Sequence, residues 1–196
     1  HVRQYGVEVM NLQKAVDIWK ALLKLQNDHP EGRAALRRLY TETGKWNALL
    51  EFLKEDLQIL PRADREARLA IYRHIIEIYR DRMKLPRMVI TTWNELLEED
   101  PNNSEALDAL ESSAEARSKW NELIEVLDRR VAGAVAVGNT AEQVKQLKRV
   151  ADLWLEKFSN AAKAREALEA VLEVDAGDVE ALDRLVEIYK QRKDWR

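Results

Sequence analysis

Trp46-Asn-Ala-Leu-Leu-Glu-Phe-Leu53 returns as Trp120-Asn-Glu-Leu-Ile-Glu-Val-Leu127, 74 residues on and without a gap. Each copy is preceded, 27 residues earlier, by another tryptophan, and those flanks match too, Trp19-Lys-Ala-Leu-Leu23 with Trp93-Asn-Glu-Leu-Leu97. A third copy follows 75 residues later, with Leu168-Glu-Ala-Val-Leu172 in the first slot and Trp195 in the second. Leu36 and Tyr40 fall on Leu110 and Ala114, then on Leu185 and Tyr189. Self-similarity at a fixed period is the signature of a repeat architecture, in which each unit packs on its neighbours instead of on one central core.

Working outward, nearly every segment carries apolar residues at i, i+3, i+4 and i+7, the spacing of one helix face. The pattern predicts helices over 12–26, 31–43, 45–59, 65–83, 86–99, 105–116, 118–136, 141–157, 160–174 and 178–192. Asp64, Ser104 and Thr140 are the expected N-caps, and Pro86 suits a first helical turn because its missing N–H has no partner there. Asp100-Pro101-Asn102-Asn103 and Gly138-Asn139-Thr140 read as turns. No strand survives this reading. Short linkers make successive helices antiparallel hairpins. The tryptophans recur beside Leu-Leu or Leu-Ile on inward faces, so they read as core, not as stacking platforms for a ligand.

Composition narrows the class. Hydrophobic residues make up 46% and charged residues 34%, enough for a continuous core and too apolar for a disordered chain. The net charge of −3 gives no general cationic surface for nucleic acid. The absence of cysteine excludes disulfides and thiolate metal sites. No apolar run reaches the roughly 20 residues of a membrane span, and no signal peptide is read, which favours the cytoplasm. The pattern begins inside a helix, with Tyr5 on Tyr79 and Trp154, and stops at Trp195-Arg196 where another helix is due. A piece of a longer solenoid is the expectation.

Each 74-residue unit is two hairpins of about 37 residues, near the 34 of a tetratricopeptide repeat, and particular residues carry the likeness. Val89, Trp93, Leu96, Leu97, Asp100 and Pro101 follow the family's second-helix frame; Ala164, Leu168, Val171, Leu172 and Asp175 repeat it, with Ala176 replacing proline. Ala15, Trp19, Leu22 and Leu23 give another copy, and Thr43-Gly44-Lys45-Trp46 and Lys193-Asp194-Trp195 resemble the family's Gly-Asp-Tyr turn. Leu49 and Leu123 stand where the family has a small residue, and the hairpins around Trp46 and Trp120 lack Asp-Pro endings. The chain thus resembles alternating regular and divergent tetratricopeptide-like (TPR-like) hairpins. Half-a-TPR (HAT) repeats of RNA-processing factors are the nearest alternative. The resemblance implies an all-α, right-handed α-solenoid of about nine or ten helices. It reads as a single array over 1–196, with units near 12–59, 65–99, 105–136, 141–174 and 178–196.

The resemblance also implies where a partner would sit. The family's groove is lined by first-helix residues facing away from the second helix. By position these are Glu31, Ala34 and Arg38; Ala70, Arg73, Glu77 and Arg80; Glu105, Asp108 and Ser112; Lys145, Lys148 and Asp152; Glu180, Asp183 and Glu187. Lys145, Lys148 and Arg149 resemble the carboxylate clamp of chaperone-binding members, but Asp152 stands in the place of its asparagine, so chaperone-tail binding is not predicted.

No catalytic, cofactor or metal residue is predicted. His29 precedes a proline, His74 sits beside Glu77 and Arg73, and no pair of histidines has ligand spacing. No Gly-rich phosphate loop or Gly-x-Ser-x-Gly elbow occurs. Charge is patterned: from Glu95 to Asp128 eleven acidic residues face only Arg117 and Lys119, whereas 62–87 is basic. That pattern predicts either attraction between adjacent hairpins or patches offered to a charged partner. The leading expectation is a non-enzymatic protein-interaction scaffold without cofactor, membrane insertion or nucleic-acid partner. The alternatives are a structural spacer or self-assembly module with end-to-end or homo-oligomeric contacts, and a HAT-like RNA-processing repeat.

Overall fold

The structure, a computed structural model, describes residues 2–193, with side chains over 10–191. The predicted match of Tyr5 and the turn through Asp194 and Trp195 lie outside the described side chains. Described residues form α1 (Val2–Leu25), α2 (Pro30–Glu42), α3 (Trp46–Ile59), α4 (Arg65–Glu77), a π-helical turn (Ile78–Arg82), α5 (Pro86–Glu99), α6 (Ser104–Ala116), α7 (Trp120–Ala136), α8 (Thr140–Glu156), α9 (Ala161–Val174) and α10 (Val179–Lys193). No strand occurs among them, and no helix is long and apolar enough to cross a membrane.

The helices group into two compact units, His1–Thr92 and Trp93–Arg196. In the first, α1 packs on α2, α2 on α3, and α3 on α4 and the π turn; in the second, α6 through α10 pack each on the next. The repeated Leu-Leu and Leu-Ile pairs are the reason. Leu49 and Leu53 of α3 are fully buried among Leu36, Ile75 and Ile78. Leu123, Ile124 and Leu127 of α7 meet Val150, Leu168 and Val171. Each such side chain contributes roughly 1.5–3 kcal/mol by leaving water.

Three local features differ from the sequence expectation. Asn103 caps α6, accepting from the Ala106 N–H at 3.0 Å, and Asn139 caps α8, accepting from the Glu142 N–H at 3.1 Å. Ser104 and Thr140 are instead the first helical residues. Asp64 does cap α4, through the Ala67 N–H. The expected helix 65–83 is α-helical only to Glu77, then widens into the π turn, closed by Met83 N–H donating to Ile78 O. Third, α1 runs unbroken from Val2. Later copies break at the equivalent place, at Lys84 and Ser159, both with positive φ, and then restart at Pro86 or behind the Asn160 cap. Asn11 stands at the repeat position of Asn160, yet the helix runs through it.

The hairpin turns share one solution. Gly44 (φ 63°) and Ser118 (φ 54°) occupy the same repeat position in the left-handed region, so that Lys45 N–H reaches Tyr40 O and Lys119 N–H reaches Ala114 O. Glycine adopts this conformation without strain, whereas serine bears a Cβ penalty.

Of the tryptophans, Trp93 is buried, while Trp19, Trp46 and Trp120 are half-buried against the cores. Trp46 and Trp120 open their helices, which leaves one ring face to a cation. The Arg82 guanidinium stands 5.1 Å from the Trp46 ring and the Lys157 ammonium 4.5 Å from that of Trp120.

Candidate functional site

In the first unit the expected groove residues are open. Arg38, Arg73, Glu77 and Arg80 are all exposed, as are Glu31, Ala34 and Ala70. Arg38 lies 3.6 Å from Glu42 on the same helix, and Arg80 forks onto Asp81 at 2.9 and 2.7 Å. Arg80 stands on the π turn, so its phase departs from that of Arg73 and Glu77 on regular α-helix.

In the second unit the first helices are tied together by ion pairs. Glu105, Asp108, Ser112 and Lys145 are exposed, whereas Lys148 and Asp152 are only partly so. Asp108 and Glu111 of α6 both receive Arg130 of α7, at 2.5 and 2.9 Å. Glu111 also pairs with Arg149 of α8, and Glu115 lies 3.6 Å from it. The Lys148 ammonium bridges Asp178 and Glu180 of the last hairpin, at 2.7 Å each. Asp152 receives Arg184 of α10, whose other nitrogen donates to Glu180 at 2.7 Å.

The titrations follow this wiring. Hydrogen bonds to Asp178 and Glu180 raise the Lys148 ammonium, and Lys148 in turn holds both carboxyls below their ordinary values. Burial raises the Asp152 carboxyl despite its arginine partner. Asp183 and Glu187 stay exposed on α10, with Glu187 3.7 Å from Lys190.

Sequence reasoning missed Glu111, Asp178 and Arg184. Their opposite charges at repeat-adjacent first-helix positions were the available signal.

Two cavities bear on binding. In the second unit, Glu115, Trp120, Leu123, Arg149, Asp152, Leu153 and Lys157 line an open pocket of about 370 Å³ between α6, α7 and α8. Its floor is apolar, its rim carries both signs of charge, and it includes one expected groove residue, Asp152. In the first unit an open groove of about 550 Å³ runs between α1 and α3. Leu23, Leu36, Tyr40, Ala48 and Phe52 floor it, with Lys20 and Lys24 along one side and Glu51 and Glu55 along the other. This groove lies on the inward side of α2, away from exposed Arg38, where no groove was expected. Among the described residues no group of three or more His, Cys, Asp or Glu is placed to hold a metal ion. His29, the one histidine in a turn, caps α2 by accepting the Gly32 N–H at 3.1 Å.

No family model and no curated protein sequence matches the chain. Among solved structures it is similar to the MamA protein, with 17% identity, 82% of this chain and 81% of that one covered, and a TM-score of 0.38. BtubC (BKLC) from P. vanneervenii gives 14% identity over 96% and 84% of the two chains, with a TM-score of 0.40. A thermophilic TPR protein of Thermus thermophilus gives 16% identity over 95% and 96%, with a TM-score of 0.35. The repeat spacing and the paired helices make this fold an all-α helical repeat, and its Asp100-Pro101 ending resembles that of tetratricopeptide repeats.

Proposed function

We propose that the chain is a non-enzymatic protein-interaction scaffold that receives a partner segment on the first-helix side of its second unit. The observation that supports this reading is the Trp120 pocket. Peptide anchors are apolar or aromatic side chains seated in a small cavity, surrounded by polar contacts that exclude water. Trp120, Leu123 and Leu153 supply such a floor, and Glu115, Arg149, Asp152 and Lys157 supply the rim. A volume near 370 Å³ admits one or two large side chains. The expected ligand is a segment with one aliphatic or aromatic anchor between charges of both signs.

Selection from a random peptide library followed by calorimetric titration tests this. Peptides of that type should bind the wild type and lose at least tenfold in affinity to Trp120→Ala, with Trp120→Phe retaining most of it and thermal melts confirming that both variants fold. Selected peptides that bind Trp120→Ala and Lys157→Glu as well as the wild type would sink the reading.

A further inference from the structure

We propose that the groove between α1 and α3 in the first unit docks an amphipathic helix of a partner protein, one with an acidic flank and a basic flank. The groove lies between two successive second helices, with α2 beneath it, so it belongs to the inside of the repeat and not to an outer helix face. In the second unit α6 to α10 pack each on the next, and among the described residues the chain lays no helix of its own over the gap between two second helices. The floor of the groove is preformed. The Tyr40 ring meets Phe52 edge-on at 6.1 Å, and the buried Arg33 guanidinium lies 4.0 Å from the Phe52 ring. A floor that is already ordered costs little further entropy on binding. With a volume of about 550 Å³, the groove has room for roughly two or three large apolar side chains.

The occupant is argued from charge. Lys20 and Lys24 stand one helical turn apart on the α1 rim, Glu51 and Glu55 one turn apart on the α3 rim, and all four are exposed. At the equivalent positions of the second unit, 74 residues after Lys24 and Glu55, Glu98 and Arg129 lie 3.8 Å apart and neutralise each other across the gap. Lys24 and Glu55 carry the opposite signs and do not meet. Glu55 lies 3.6 Å from Arg33, and Lys24 makes no hydrogen bond or ion pair among the described residues. The Lys20 ammonium stands 6.0 Å from the Tyr40 ring. The first-unit groove therefore keeps a positive rim and a negative rim open to a newcomer. A helix with Glu or Asp at i and i+4 on one flank, Lys or Arg at i and i+4 on the other, and large apolar residues between them matches both rims at their one-turn spacing and fills the floor. Turning a helix end to end exchanges its flanks, so the two rims also fix its direction. The groove lies in the other unit from the Trp120 pocket and does not depend on it.

Selection from a library of peptides of about 18 residues, long enough to form a helix alone, tests this when the apolar stripe and the two charged flanks are held fixed. By calorimetric titration the selected peptides should bind the wild type with a Kd on the order of micromolar, as suits a single helix in a small interface. Ala48→Glu sets in the groove a side chain that the repeat already carries, since Glu122 occupies the equivalent position. That variant should keep the wild-type melting curve and weaken the peptides by about tenfold or more. Lys20→Glu with Lys24→Glu changes only exposed side chains and makes both rims acidic, and it should weaken them by about tenfold. A wild type that binds none of these peptides overturns the proposal, and so does either variant binding them as tightly as the wild type. Binding that Trp120→Ala abolishes also overturns it, since that result seats the peptide in the other pocket.

Discussion

Glu111 of α6 and Arg149 of α8 form an ion pair at the two repeat positions that hold Arg37 and His74 in the first unit. The positions repeat between copies while the charges do not. His74 is half-buried, and burial, then the neighbouring Arg37, hold its imidazole below the ordinary value near 6.5, with Glu77 opposing. The folded state therefore binds this proton less well than the unfolded chain does. Stability contributed by neutral His74 is complete above about pH 6.5 and is lost as pH falls through the lower folded value. We expect the urea midpoint of wild type to drop between pH 7.5 and 5.5, and the drop to shrink in His74→Gln. Proton NMR titration of His74 should give a midpoint below that of a model peptide; a midpoint above it refutes the assignment.

Arg33 and Asp56 join α2 to α3 as a buried pair, each 5% exposed. The guanidinium is also satisfied by Asn27 O at 3.0 Å and stacks 4.0 Å from the Phe52 ring. Asp56 Oδ2 makes no hydrogen bond, though Arg37 approaches it to 3.5 Å. Removing one partner strands a buried charge. Asp56→Ala should cost about 3–5 kcal/mol, whereas Arg33→Met with Asp56→Leu should recover most of that. Equal losses in single and double variants by urea denaturation would show that packing, not charge, dominates.

The turn at Ser118 offers a gain. Its φ of 54° matches the 63° of Gly44, its repeat equivalent, yet it carries a side chain. Ser118→Gly should raise stability by about 0.5–1 kcal/mol and Gly44→Ala should lower it by at least as much. Thermal unfolding read by circular dichroism decides both signs.

Capping distinguishes adjacent residues. Asn139→Ala should destabilise by about 1 kcal/mol because the Glu142 N–H loses its acceptor, while Thr140→Ala should stay within about 0.5 kcal/mol. The opposite order would return the cap to Thr140.

Lys148 is a structural strut before it is a contact residue. Lys148→Glu sets a carboxylate against Asp178 and Glu180. Amide hydrogen exchange over α10 should become several-fold faster, with little change in α6. Lys145→Glu, whose nearest acidic neighbour is 4.0 Å away on its own helix, should leave α10 unchanged.

The helices were readable because buried leucines recur at helical spacing wherever a face is covered. The caps slipped by one residue because Asn103-Ser104 and Asn139-Thr140 each present two side chains able to cap. Nothing in Ile78-Tyr79-Arg80 announces a π turn. The site was legible only as a set of exposed first-helix charges. Whether each charge is free depends on a partner far along the chain, 32 residues from Lys148 to Glu180 and 38 from Glu111 to Arg149. Residue spacing within one helix carries no information about that.

The struts between α6, α8 and α10 change what recognition means on that side. A charged segment reaching Lys148 must displace Asp178 or Glu180, and one reaching Asp152 must displace Arg184. Binding there is an exchange, in which one ion pair is broken for each one made. Dissolved salt weakens the old and new pairs alike, so the affinity of such a ligand should vary little with ionic strength. Selectivity then rests on how well a newcomer's geometry competes with the protein's own side chains.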